Sequence, residues 1–329
     1  MNCMRYIKPG VIHYTCGRYS REDIRSCHQI VSQDLVSNNL TIDDLKNSIL
    51  LLDFLSEGHD PVVIEPLIDY LAKLTGVDRV RVMFNAIIND SNLPYRFKSF
   101  KTHFTTWDGR FVNTGDQSEI VLENKFLCLA RRPTLERAKF VSQLLNTVPT
   151  IRASFGSGFP ELSLKFQQYF SGYTLPLLFD GDARNYIHNL ASDIFRTSLF
   201  NVIVETSNQL DQNNWTSIFI TEKTFKCFDL YQIPVWFAVP GTATEVRKMG
   251  FDLFDDIVDH SYELIDNQDE RRNAICDQIK ILDEKFSLED CQTLRANIYP
   301  RLLANYRLLD TFTEHYEKIA EQIKNELIA

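Results

Sequence analysis

The chain has 329 residues, more than one compact core usually holds, and length alone suggests about two domains. Hydrophobic residues make up 44% and charged residues 24%, with few Gly and Pro, which excludes a collagen-like or extensively disordered chain. The net charge of −9 argues against tight binding to bulk nucleic acid, which needs a clustered basic surface.

The seven cysteines are odd in number, widely spaced and without a CxxC pair. That pattern predicts free thiols in a reducing compartment, with neither a disulfide framework nor a zinc site. Residues 1–18 hold no long apolar run, so no signal peptide is expected. The run from Ile49 to Leu55 is too short to span a membrane. The expectation is a soluble, cytoplasmic protein.

In chain order, Ser20 to Leu35 predicts a helix, capped by Ser20 with Glu22 and Asp23 in its first turn. Thr41 to Asn47 reads as a polar approach to an apolar strand, Ser48 to Leu55, of the kind buried on both faces. Pro61 to Leu74 follows with Val63, Leu67, Tyr70, Leu71 and Leu74 on one helical face, and Gly76 stops it. Arg79 to Asn85 is the next strand, completing the unit of a parallel α/β sheet. Strands are also expected at Lys98–Thr106, Ser118–Leu122, Lys125–Ala130, Thr150–Phe159, Ser198–Glu205 and Pro234–Val239. Helices are expected at Leu135–Leu145, Ala183–Phe195 (in part), Thr221–Leu230, Thr242–Met249, Asp269–Phe286 and Leu288–Ile328. The alternation predicts two Rossmann-like α/β domains facing a cleft, cut near residue 125, with C-terminal helices.

No dinucleotide fingerprint, phosphate loop, HExxH or GxSxG element is present. Gly156-Ser157-Gly158 and Asp180-Gly181-Asp182 read as turns, and no metal site is expected. The basic and aromatic stretch Tyr95 to Lys101 reads as a strand or loop with solvated charges, or as a polyanion-contacting edge.

The informative block begins at Phe200. A strand ends in Glu205, a polar loop follows, and a helix opens with Thr221, Glu222 and Lys223. Thr221 can cap that helix, whose start offers unpaired N–H groups and partial positive charge suited to a diphosphate. Lys223 adds a full charge, and Glu222 is an acceptor for the two hydroxyls of a ribose. Such a site belongs at the carboxyl ends of parallel strands. Acidic residues are also favoured in a first helical turn on stability grounds alone, so the pair by itself admits both readings.

The ordered set Glu205 and Ser207, Ile220-Thr221-Glu222-Lys223, then Ile233-Pro234-Val235 resembles the donor-binding motif of the α1,3-fucosyltransferase family and related GT-B glycosyltransferases. In that motif a Phe-Glu-Asn-Ser strand end precedes Asp-Tyr-Ile-Thr-Glu-Lys, a helix and a Val-Pro-Val strand. Here Thr206 replaces the Asn and Phe219 the Tyr, so the resemblance does not extend to the sugar or the nucleobase. It implies that Glu222 binds ribose and Lys223 binds phosphate or sugar. Upstream, Phe126 to Arg137 resembles the family segment whose arginine holds the donor diphosphate. Arg137 is the first candidate for that role and Arg132 the second, since guanidinium groups bind phosphate oxygens in bidentate fashion. The acidic segment Met249 to Tyr262 is expected to be structural.

An inverting transfer also needs a group that takes the acceptor hydroxyl's proton. The polar loop after the first buried strand supplies Glu57, then His59 and Asp60, as candidates. On the resemblance, residues 1–124 form the acceptor side and 125–329 the nucleotide-sugar side of a glycosyltransferase. It would need no cofactor beyond its donor and would transfer to a glycan or other hydroxyl acceptor. A second reading makes the acceptor a hydroxymethylated DNA base, and so admits nucleic acid as a partner. A third is a non-catalytic nucleotide-binding module.

Overall fold

A computed structural model describes residues 3–15, 27–54, 61–84, 87–88, 98–101, 119–156, 159–177, 195–205, 217–218 and 220–328. The chain divides into two compact units, Met1–Trp107 with Thr216–Ile220 and Thr313–Ala329, and Asp108–Trp215 with Thr221–Phe312. This partition is discontinuous, where the sequence suggested one cut near residue 125.

In the first unit, β1 (Cys3–Lys8) and β2 (Val11–Thr15) form an antiparallel hairpin around Gly10, whose φ of 74° suits glycine. From β2 the sheet continues in parallel through β3 (Ile49–Phe54), β4 (Val80–Phe84) and β6 (Lys98–Lys101). Leu50, Leu51 and Leu52 are each 0% exposed, so both faces of β3 are covered, as its unbroken apolar run requires. The cover includes α1 (Cys27–Ser37), α2 (Ile42–Lys46) and α3 (Pro61–Thr75), which add Val31, Leu35, Leu45, Leu67 and Leu71 to the core. A two-residue strand, β5 (Ile87–Ile88), pairs antiparallel with β10 (Ser217–Ile218).

Two expectations need correction. The segment read as a polar approach contains α2, and its signal was present in the sequence. Asp44 N–H donates to Thr41 Oγ1 (3.1 Å) and Thr41 N–H to Asp44 Oδ2 (2.7 Å), a reciprocal capping box. Of the strand expected at Ser118–Leu122, residues 119–122 are turn and coil. Their backbone is served by one amide instead: Leu122 N–H donates to Gln292 Oε1, and Gln292 Nε2 donates to Ile120 O.

The second unit holds a four-stranded sheet in the order β11-β9-β7-β8, all parallel. Its strands are β7 (Asn124–Ala130), β8 (Arg152–Phe155), β9 (Ser198–Val204) and β11 (Ile233–Phe237), with every residue of β9 and β11 buried. Around it lie α4 (Leu135–Thr147), α5 (Pro160–Leu164), α6 (Glu222–Asp229), α7 (Thr242–Lys248), α8 (Gln268–Lys285) and the start of α9 (Leu288–Ile328). Phe140 of α4 stacks on Phe237 of β11 with ring centres 4.2 Å apart. From β7 the chain runs through α4 to β8 on one side, then crosses to β9 on the other. The order therefore reverses between β7 and β9, and the crevice outside their carboxyl ends is where open α/β sheets bind ligands.

As an edge strand, β11 presents backbone groups with no strand partner, and side chains satisfy them. Tyr262 Oη accepts from Trp236 N–H (3.0 Å) and His260 Nε2 lies 3.2 Å from Pro234 O, while just past the strand Arg271 Nε donates to Ala238 O (3.1 Å). Burial raises the pKa of the Tyr262 phenol, so it stays neutral while accepting that bond. Among the described residues Cys128, Cys227, Cys276 and Cys291 are free, buried thiols; burial pushes Cys276 up to about 12 and Cys291 to about 11. No helix of the described residues is long and apolar enough to cross a membrane.

Candidate functional site

At the carboxyl edge of the second sheet, the structure joins the two segments that the sequence singled out. After β7 the chain enters Arg131-Arg132-Pro133-Thr134, and Thr134 caps α4 by accepting from Arg137 N–H at 3.4 Å. Arg137, only 5% exposed, then turns back across the switch point. It donates through one terminal nitrogen to Arg132 O (3.1 Å) and through the other to Glu205 O (2.9 Å). A single guanidinium thus ties the loop after β7 to the end of β9. Arg132 itself is exposed.

Glu205 directly follows β9 and is 0% exposed. Its carboxylate receives Thr221 N–H (3.1 Å), the Thr224 hydroxyl (2.8 Å) and, by a short bond, the Thr221 hydroxyl. Lys223 Nζ lies 3.9 Å from the same carboxylate and 2.9 Å from Thr221 Oγ1. A hydroxyl has one proton and two lone pairs. Thr221 gives its proton to Glu205 and accepts from Lys223 Nζ and, at 3.4 Å, Lys223 N–H, so its capacity is filled inside the protein.

These bonds alter the electrostatics expected of this helix start. The partial positive charge at the head of α6 already faces a buried carboxylate, so an incoming diphosphate would meet the side-chain cations more than the helix dipole. Lys223 keeps 31% of its side chain exposed. Glu222 is the first residue of α6; its side chain lies outside what the structure describes, as do Glu57, His59, Asp60, Thr206 and Phe219. Thr224 and Trp236 complete the cluster and had no signal in the sequence beyond their places in a helix and a buried strand. The Trp236 indole donates to Thr224 Oγ1 at 2.9 Å.

The head of α7 is filled in the same way. Glu263, 7% exposed, accepts Thr244 N–H (3.0 Å) and the Thr244 hydroxyl (2.6 Å). The acidic segment beyond it is structural: Arg301 grips Asp252 and Asp256 with two bonds each, at 2.6 to 2.9 Å, and Arg247 grips Asp255 at 2.9 and 3.0 Å. The Arg247 bonds hold the Asp255 carboxyl below its ordinary range, and the Arg301 bonds do so for Asp256. A depressed carboxylate contributes stability above its unfolded pKa and loses it as pH falls through the folded value. Stability is therefore expected to be flat above about pH 5 and to decline below about pH 4. Arg301→Ala should cost about 1–2 kcal/mol at neutral pH and reduce the acid slope, as denaturant titrations from pH 3 to 7 can measure.

Of the basic-aromatic stretch, Lys98–Lys101 forms β6 in register with β4, while residues 95–97 lie outside the described residues. Among the described residues, no three of His, Cys, Asp and Glu cluster to hold a metal ion.

No family model matches the chain, and no curated protein matches it. Among solved structures, a trehalose-6-phosphate synthase, OtsA, aligns over 90% of this chain and 77% of its own, at 12% identity and a TM-score of 0.41. An α,α-trehalose-6-phosphate synthase from Burkholderia multivorans aligns over 95% of this chain and 79% of its own, at 12% identity and a TM-score of 0.39.

Proposed function

We propose that the protein is a glycosyltransferase of the GT-B type that takes its sugar from a nucleotide-sugar donor. The observation that carries this reading is the meeting of two chain segments at the sheet's switch point. Arg137 ties the Arg131–Thr134 loop to Glu205, and Glu205 ties itself to the head of α6. On those segments Arg132 is exposed, Lys223 keeps 31% of its side chain accessible and Arg131 is half-buried.

In this reading Lys223 and Arg132 meet the diphosphate and stabilise the negative charge that grows on it as the glycosidic bond breaks. Glu222 takes the ribose hydroxyls, as in the fucosyltransferase-like motif. Arg137, Glu205 and Thr221 act as the frame, because the terminal nitrogens of Arg137 and the side-chain oxygens of Glu205 and Thr221 are engaged within the protein. The acceptor hydroxyl loses its proton to Glu57, or to His59 or Asp60, the candidates that follow β3 in the sequence. Attack from the face opposite the diphosphate inverts the anomeric centre. Fixed cations take the place that a metal ion fills in other transferases.

The test is a thermal-shift panel of GDP-, UDP-, CDP- and ADP-sugars. A ligand present at 100 times its Kd stabilises by about 2.7 kcal/mol, so one nucleotide series should raise Tm by several degrees. Absence of any shift at millimolar concentrations across the panel overturns the donor site.

A further inference from the structure

We propose that Thr224 and Trp236 are positioning residues: a one-way hydrogen-bond chain from the Trp236 indole through Thr224 to Glu205 sets the head of α6. In its donor-affinity arm this inference rests on the nucleotide-sugar reading above.

The direction of the chain follows from what each group can do. An indole N–H only donates, so Thr224 Oγ1 must accept from Trp236 (2.9 Å). The one Thr224 proton then points at Glu205 Oε1 (2.8 Å). On the other oxygen the ammonium of Lys223 only donates, so the Thr221 proton is likewise directed at Glu205. Both hydroxyl rotors are thereby locked, and the carboxylate is fixed between them. Trp236 is itself anchored in β11, opposite Ile203 of β9, with its N–H held by Tyr262. Thr224 is 0% exposed and Trp236 2%, so neither touches a ligand in solvent. Their effect reaches the surface through Glu205 and Thr221, which fix where Lys223 stands.

The experiment compares Thr224→Val, which keeps the shape and removes the hydroxyl, with Thr224→Ser, which restores it. Amide hydrogen exchange is followed at Thr221, Lys223 and Thr224, whose N–H groups bond Glu205 Oε1, Thr221 Oγ1 and Thr221 O. Thr244, bonded to Glu263 at the head of α7, is the control. A hydrogen bond to a charged group is worth enough that Thr224→Val should speed exchange at the α6 amides about 10- to 100-fold, with Thr244 unchanged and Thr224→Ser close to the parent. Trp236→Phe should act in the same direction. In the second arm, Thr224→Val should raise the Kd for the donor about tenfold, with turnover at saturating donor retained. Unchanged α6 exchange in Thr224→Val overturns the proposal, as does equal acceleration at Thr244 or a failure of Thr224→Ser to rescue. If the parent binds no nucleotide sugar, the functional reading falls, while the exchange arm still decides the positioning role.

Discussion

Glu205→Ala is expected to cost about 3–5 kcal/mol, the range for removing one partner from a buried, charged hydrogen-bond network. The carboxylate is 0% exposed and faces Thr221 N–H, two hydroxyl protons and the Lys223 ammonium. Alanine leaves the Thr221 N–H and both hydroxyl protons without the carboxylate they bond, and the Thr221 proton cannot turn away without breaking with Lys223. Against a typical total stability of about 5–15 kcal/mol, that is a large fraction. Glu205→Gln keeps the volume and one acceptor, and should cost about 1–2 kcal/mol. Denaturant unfolding of the three proteins separates these values. An alanine variant within 1 kcal/mol of the parent would show that the network does not hold the head of α6.

The elements around this site are legible in the sequence where the physics is local. Strands β7, β9 and β11 stand out as apolar runs because parallel strands are covered on both faces. Thr221 was legible as a helix start because a hydroxyl before a helical run serves the first free N–H groups. The β1–β2 hairpin was not legible: Tyr6 and Ile7 of β1 are 46% and 39% exposed, so no clean alternation marks an inner face.

The functions of Glu205 and Arg137 depend on where distant segments come to rest. A carboxylate at a strand end and an arginine in a first helical turn are marked by sequence as charged groups near a site. Whether they face a ligand or the frame is decided by Thr221, sixteen residues after Glu205, and by a carbonyl sixty-eight residues after Arg137. Thr224 and Trp236 were invisible for the same reason, since no spacing rule links them to residue 205. Arg301 is a further case, because it meets the acidic segment from forty-nine and forty-five residues away.

Lys223→Ala should divide binding from folding, in contrast to Glu205→Ala. Lys223 contributes one ammonium, 31% exposed, held 2.9 Å from a hydroxyl and 3.9 Å from a carboxylate that keeps its other donors when the lysine goes. At that exposure the loss to stability should stay near or below about 1 kcal/mol. A donor diphosphate, by contrast, loses a fixed charge at the point where its own charge grows. Affinity for the nucleotide sugar should fall about 100-fold, and the donor-induced rise in Tm should disappear. Lys223→Arg should recover only part of this. The planar guanidinium cannot sit on Thr221 Oγ1 as a compact ammonium does, so it would compete for Glu205 instead of facing outward. Raising the salt concentration should weaken donor binding in the parent more than in Lys223→Ala, because only the parent has that charge to screen. A full donor shift in Lys223→Ala, with the parent's salt dependence, would move the diphosphate site away from α6 and toward the Arg131–Arg132 loop.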